Sequence, residues 1–185
     1  MSLTSQQIEN IQIDYGIVYS NFGELDQELL GPTRGGGSFT VTKTLRDIEY
    51  DGAKGKSKGM QIIDDINAML SVTSLNTSIK KLHMALPYAT LTGDGGITPY
   101  SISCKSTNVG VIPSSAYLKN ITMFAKTVKG EYKKITLYNA MSENDFTLSA
   151  VPKNEAEVAL EIYGHWDAAD NTKDLFKIED VASIV

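Results

Sequence analysis

The chain has 185 residues with 17 basic and 22 acidic side chains, a formal net charge of −5 and 42% hydrophobic content. That length suits one domain with a core of its own, since such a chain buries roughly 70% of the surface its unfolded form exposes. The acidic balance speaks against a dedicated nucleic-acid binder. The single cysteine excludes an internal disulfide framework, and no run of about 18 apolar residues is present to form a membrane helix.

The N-terminus, Met1 to Gln6, has neither the basic start nor the apolar run of a secretory signal, so a soluble protein made in a reducing cytoplasm is expected. Residues 11–19 alternate, with Ile11, Ile13, Tyr15, Ile17 and Tyr19 on one side and Gln12, Asp14 and Gly16 on the other. This pattern predicts a strand whose odd-numbered face is buried. Residues 21–37, which end in Gly31-Pro32-Thr33-Arg34-Gly35-Gly36-Gly37, have too much backbone freedom to order themselves and read as a long loop.

Residues 38–50 predict a second strand. Phe39, Val41 and Leu45 share one parity and Ile48 and Tyr50 the other, which places a β-bulge near Arg46-Asp47. The glycine-rich stretch 51–59 predicts a flexible hairpin tip. Residues 60–73 fit both a helical stripe and a strand, and the turn just before them favours the strand. Residues 76–86 form the best helix: Ile79, Leu82, His83 and Leu86 make a stripe, Asn76 to Ser78 offer caps, and Pro87 stops it.

Further strands are predicted at 99–105, 118–128, 131–139, 145–151 and 155–166. In the last, Ala156, Val158, Leu160 and Ile162 alternate with Glu155, Glu157 and Glu161. The whole chain, 1–185, reads as one unit with flexible ends at about 1–8 and 168–185. Its class is mainly β (α+β), a β-sandwich or barrel with one packed α-helix and long Gly-rich loops.

The chemical motifs point away from catalysis. Gly55-Lys56-Ser57 resembles the end of a phosphate-binding loop, but Tyr50 stands where that motif needs its first glycine. Gly55-Lys56-Ser57-Lys58-Gly59 matches the nucleophile-elbow pattern, yet lies in a lysine-rich tip without the required strand–turn–helix context. Lys54, Lys56 and Lys58 form a basic patch, either simply solvated or meeting an acidic partner surface. His83 falls on the helix stripe, and His165 alternates outward beside Trp166, neither with ligand-spaced neighbours for a metal. Asp64 and Asp65 are adjacent and so are expected to point to opposite sides of a strand. Asp94-Gly95-Gly96 reads as a turn, and Cys104 as a buried strand thiol. No enzyme activity, cofactor or metal is expected.

Taken as an ordered set, these segments resemble the phage major tail proteins, the subunits of tail tubes. The likeness rests on Leu30-Gly31-Pro32-Thr33-Arg34-Gly35-Gly36-Gly37, the strand ending Arg46-Asp47-Ile48-Glu49-Tyr50-Asp51-Gly52, and Lys58-Gly59-Met60. It continues in Leu118-Lys119-Asn120-Ile121-Thr122, the Tyr132 to Asn139 strand, and Gly164-His165-Trp166-Asp167, so it spans roughly residues 11–167. The resemblance implies a β-sandwich flanked by a helix, six copies closing into a ring, and rings stacking into a tube through which DNA leaves the capsid. Partners would be the chain itself and other tail proteins such as tape measure and baseplate or terminator, with no membrane. The place would be the virion tail, assembled in the host bacterium's cytoplasm.

On that reading the stacking-loop candidates are Arg34, Gly35, Gly36, Lys54, Lys56 and Lys58. The faces opposite the apolar parities supply lumen candidates: Gln12, Asp14, Thr42, Thr44, Gln61, Asp65, Glu157 and Glu161. These are uncharged or acidic, as suits a wall that DNA must not stick to. Two other readings remain open. One is a monomeric β-sandwich ligand-binding module with Tyr163 and Trp166 as its aromatic platform. The other is a tail-completion or baseplate ring protein of the same fold.

Overall fold

A computed structural model describes residues 2–13, 16–52, 54–149 and 152–184. Its elements in chain order are α1 (Ser5–Glu9), β1 (Ile17–Ser20), β2 (Glu28–Leu29), β3 (Thr33–Asp47), β4 (Gln61–Ser74), α2 (Ile79–Ala85), β5 (Thr90–Thr92), β6 (Ser101–Ser103), β7 (Leu118–Lys126), β8 (Tyr132–Ser142), β9 (Val158–Tyr163) and β10 (Phe176–Val181). The fold is mainly β, as the alternation in the sequence requires, with α2 packed on it and the short α1 added at the N-terminus.

All strand pairings are antiparallel. One layer runs β2-β1-β7-β8, and β10 lies on the far edge of β8; the other layer runs β9-β4-β3. β8 belongs to both. Its first half pairs with β7 and β10, while Met141 and Ser142 at its end pair with β9. The change of layer falls at Asn139, whose φ of +46° is a left-handed conformation that asparagine tolerates better than most residues. Val18, Ile121, Met123 and Leu137 from the first layer meet Leu70, Val72, Leu160 and Ile162 from the second, and α2 adds Leu82 and Ala85.

The ambiguous stretch 60–73 is strand β4. Its buried residues Ala68, Leu70, Val72 and Ser74 alternate with more exposed ones, as period two demands. β9 buries Val158, Leu160 and Ile162 in the same way. The expected bulge is present but lies across the ribbon: the register shifts between Thr44 and Leu45 of β3, leaving Asp64 of β4 as the extra residue. A second shift between Arg34 and Gly37 sets out Gly35 and Gly36, whose φ values of +74° and +77° call for glycine.

Several expectations are corrected. Residues 21–37 are not a free loop, because β2 and the start of β3 are paired there. The strand at 11–19 is confined to Ile17–Ser20, with one isolated bridge from Gln12 to Thr127, and it is Val18 that is buried while Ile11, Ile13 and Ile17 are exposed. The odd isoleucines therefore do not mark the core face, because Val18 and Ser20 cover it instead. Residues 145–149 form no strand; they cross over to β9, and 150 and 151 lie outside the described residues. Cys104 is exposed, one residue beyond β6. The C-terminal segment expected to be mobile contributes β10, held on β8 by Lys133 against Asp180 at 2.7 Å and Lys134 against Glu179 at 3.6 Å, both directly opposite pairs.

β7 is buried on both faces. Its second face carries an aromatic cluster in which Phe124 meets Phe22 at 4.9 Å, Tyr19 at 6.1 Å and Tyr132 at 6.4 Å between ring centroids. Lys134 sits over the Phe22 ring at 5.2 Å. Below it Asn120, Thr122 and Thr136 form a buried polar ladder.

Lys81 of α2 is only 4% exposed, 3.2 Å from a carboxylate oxygen of Glu28, and its ammonium makes no aligned hydrogen bond. Burial pushes its pKa below the ordinary lysine value, with Glu28 opposing. A buried charge so poorly paired destabilises more than it contributes, whereas Glu28 alone would remain solvated. Lys81→Met is therefore expected to stabilise the fold at neutral pH, by on the order of 1 kcal/mol, read as a raised melting temperature in thermal unfolding.

Candidate assembly surface

β3 and β4 run on together past the end of the body. β9 pairs with β4 over Met69–Ser74 and Gly164 N–H adds a bond to Ala68 O, so residues 41–48 and 60–67 make a two-stranded arm with both outer edges unpaired among the described residues. At about 3.3 Å per residue the arm extends roughly 25 Å. The register gives it two faces. On one, Val41, Lys43 and Leu45 stand opposite Ala68, Ile66 and Ile63. That face continues the core face of Phe39 and Leu70 outward, and among the described residues its outer part is left largely open: Val41 is 43% exposed, Leu45 45% and Ile63 53%. On the other face Thr42 opposes Asn67 and Thr44 opposes Asp65.

The tip holds itself by Tyr50 and Ser57 hydroxyls 3.3 Å apart and by Ser57 Oγ donating to Gly55 O. Ser57 therefore sits between two strands of a hairpin, not at a strand–helix turn. Lys54, Lys56 and Lys58 also lie here, and none forms an ion pair among the described residues.

The stacking-loop candidates do not come together. Arg34, with Gly35 and Gly36 beside it, is at the body end of β3, where its guanidinium pairs with Glu155 at 2.6 Å and with Glu157. Arg34 and the lysine tip are thus at opposite ends of the same strand pair. Of the lumen candidates, Thr42, Thr44, Asp65 and Glu161 share one face of the β3-β4-β9 layer, since Glu161 opposes Ser71, on the parity of Asn67 and Met69. Gln61 is turned to the other face by the bulge and donates to Asp47 at 2.7 Å. Glu157 is engaged by Arg34, Gln12 bridges Thr127 away from this layer, and Asp14 lies outside the described residues.

The bulge also overturns the expectation for the acidic pair. Asp64 accepts two bonds from Arg46, at 2.9 and 3.2 Å, and Arg46 alternates onto the side of Thr44, where Asp65 also stands. Beside this pair, midway along the arm, a groove opens. Ile63, Asp64, Asp65 and Ile66 meet Trp166 there. Trp166 in turn borders a cavity of about 490 Å³ with Tyr117, Asn139 and His165, and Tyr117 and His165 also line one of about 420 Å³ with Tyr88, Glu143, Asp145 and Phe146. Tyr163, expected to join Trp166, instead opposes Met69 in the sheet.

His165 anchors the groove floor. Its Nδ1 faces Asn139 O at 2.9 Å and its Nε2 faces Glu143 Oε1 at 2.8 Å, while Asn139 Nδ2 donates to His165 O at 3.1 Å. Tyr117 stacks edge-on against the imidazole at 5.0 Å. His83 lies apart on α2, its ring nitrogen 2.9 Å from Ala89 O. Asp94 caps its own turn, accepting from Gly96 and Thr98 backbone N–H groups, which hold its carboxyl below the usual range.

The Arg34 cluster sets a pH dependence. The Arg34 hydrogen bond holds Glu155 below its ordinary carboxylate value. A depressed folded pKa means stabilisation that is present above the unfolded value of about 4.3 and lost as pH falls through the folded one. Acid unfolding of the protein is expected to begin at a higher pH in Arg34→Met than in the parent, with the two curves merging in high salt; unchanged curves would exclude a contribution from this cluster.

Among the described residues there is no group of three or more His, Cys, Asp or Glu side chains that could hold a metal, and no helix long and apolar enough to cross a membrane. No protein-family model and no curated protein matches the chain. A solved structure described as "Virion of native gene transfer agent (GTA) particle" contains a chain similar to this one at 8% identity, covering 80% of this chain and 88% of that chain, with a TM-score of 0.44. A likeness of that degree leaves the role of this chain to be argued from its own surface.

Proposed function

We propose that the chain is a structural, non-enzymatic subunit that assembles with copies of itself into rings stacked as a tube, the tail tube of a phage or phage-like particle. The observation that carries this reading is the arm, where an apolar sheet face continues roughly 25 Å beyond the core and is left largely open by the described residues. A lone two-stranded ribbon is marginally stable in water, so such an arm gains its order from a neighbour. The unpaired outer edge of β3, 15 residues long, supports the same conclusion, because an open edge of that length is a template for another chain.

The six-fold ring, DNA passage, and partners such as tape measure and baseplate or terminator proteins follow from the tail-tube resemblance. The virion tail is the corresponding location. Thr42, Thr44, Asp65 and Glu161 form the shared face that would line a channel; they bring no cation to it, and Arg46 on the same side is already paired with Asp64, which leaves little to hold phosphates. Sedimentation velocity and negative-stain imaging across rising concentration test the proposal. Rings or tubes are expected, and a chain that stays monomeric at every concentration and salt condition would sink it.

A further inference from the structure

We propose that the groove floored by His165 and Tyr117 receives the lysine-bearing arm tip of a second copy of this chain, a contact that rests on the assembly reading above. Three cavities adjoin here, Trp166 lining both the first and the second and Tyr117 and His165 both the second and the third. Their walls carry five carboxylates; Asp64 is paired with Arg46 and Asp167 with Lys173 at 2.6 Å, which leaves Asp65, Glu143 and Asp145 without a lysine or arginine partner among the described residues. Aromatic rings and carboxylates side by side suit a lysine, whose methylene stem lies on the rings while its ammonium reaches the acids.

The matching cations are at the arm tip. Lys54, Lys56 and Lys58 stand at the far end of the arm without ion-pair partners among the described residues, while Arg46 lower on the arm is already engaged by Asp64. The groove begins midway along the arm, beside Asp64 and Asp65, and runs back to Tyr117 and His165 of the body, whereas the lysines lie beyond Met60 at the outer end, so an extended arm carries its own tip away from its own groove. A tip-to-groove contact joins two different surfaces. It therefore propagates from copy to copy, closing a ring if the rotation closes and running on as a filament if it does not.

The chain's one tryptophan reports on the site, since Trp166 is 54% exposed in the subunit. In the wild-type protein, assembly at low salt is expected to blue-shift its emission and cut acrylamide quenching severalfold. The variant K54E/K56E/K58E should fold normally, since these lysines contact nothing in the core, yet assemble far less well. Adding D65K/D145K to it should restore assembly and Trp166 shielding. In a C104S background, K56C and D145C mixed together should form an intermolecular disulfide.

Wild-type particles whose Trp166 stays as quenchable as in the monomer, or a glutamate tip that assembles like wild type, would overturn the groove contact while leaving the assembly reading intact. Trp166 shielding with no growth in mass would mean another occupant and would overturn it too. A wild-type chain that never assembles overturns both.

Discussion

Excising residues 44–65 and joining Lys43 to Ile66 through Asn-Gly is expected to leave the two-layered body folded and to abolish assembly. Lys43 and Ile66 are direct partners, so a two-residue turn closes the shortened hairpin without a register change. None of the described residues removed is buried, Ser57 and Met60 being half-buried and the others exposed, and Phe39, Leu70 and the rest of the core are kept. The unfolding free energy should therefore change by no more than about 1 kcal/mol, because a free ribbon contributes little by itself. Assembly should fall below detection in sedimentation velocity, since the uncovered apolar face and the lysine tip leave together. Full assembly of the shortened chain would show that the arm serves some other purpose.

The largest loss of stability is expected from Phe124→Ala. Phe124 is 1% exposed and central to the cluster of Tyr19, Phe22 and Tyr132 on the outer side of β7. Truncating a buried phenylalanine costs about 3–5 kcal/mol in lost transfer energy and cavity. For a chain of this length that is a fall of roughly 10 °C or more in melting temperature. Phe124→Leu should recover most of it. A loss under about 1 kcal/mol for the alanine variant would mean that Phe22 and Tyr19 collapse into the gap, and that the second face of this sheet is soft rather than packed. That distinction bears on assembly, because a packed cluster closes this face to a neighbour and directs contacts to the arm and the β3 edge.

Some of this architecture is legible in the sequence and some is not, for physical reasons. β4 and β9 follow their alternation because each has one face on the core and one away from it, so period two survives in the residues. The arm's turn is legible in the glycines and lysines at 51–59. β1 misleads because Ile11 and Ile13 lie before the strand and answer to no core, so their parity carries no register. β10 escapes notice because Phe176 and Ile178 are interleaved with Lys177, Glu179 and Asp180. The signal was the complementary pair Lys133-Lys134, which cross-strand charge pairing could have matched to Asp180 and Glu179. The groove is out of reach of any local pattern, since Asp64, Tyr88, Tyr117, Glu143 and Trp166 arrive from five separate segments. Only the placement of Trp166 on the surface could be read in advance.

The sharing of β8 between layers governs how the subunit bears load. A pull along the arm enters the body through β4 and passes to β9 across rungs that lie perpendicular to the pull. Those rungs must give way together rather than one after another, as in a lap joint instead of a zipper. From β9 the force reaches Met141 and Ser142 and so enters β8, whose other half is riveted between β7 and β10. The hinge point of that path is Asn139, tied to His165 by bonds in both directions. A subunit wired in this way resists tension as a single body, and its weakest link under stretching would be the short two-rung joint between β8 and β9.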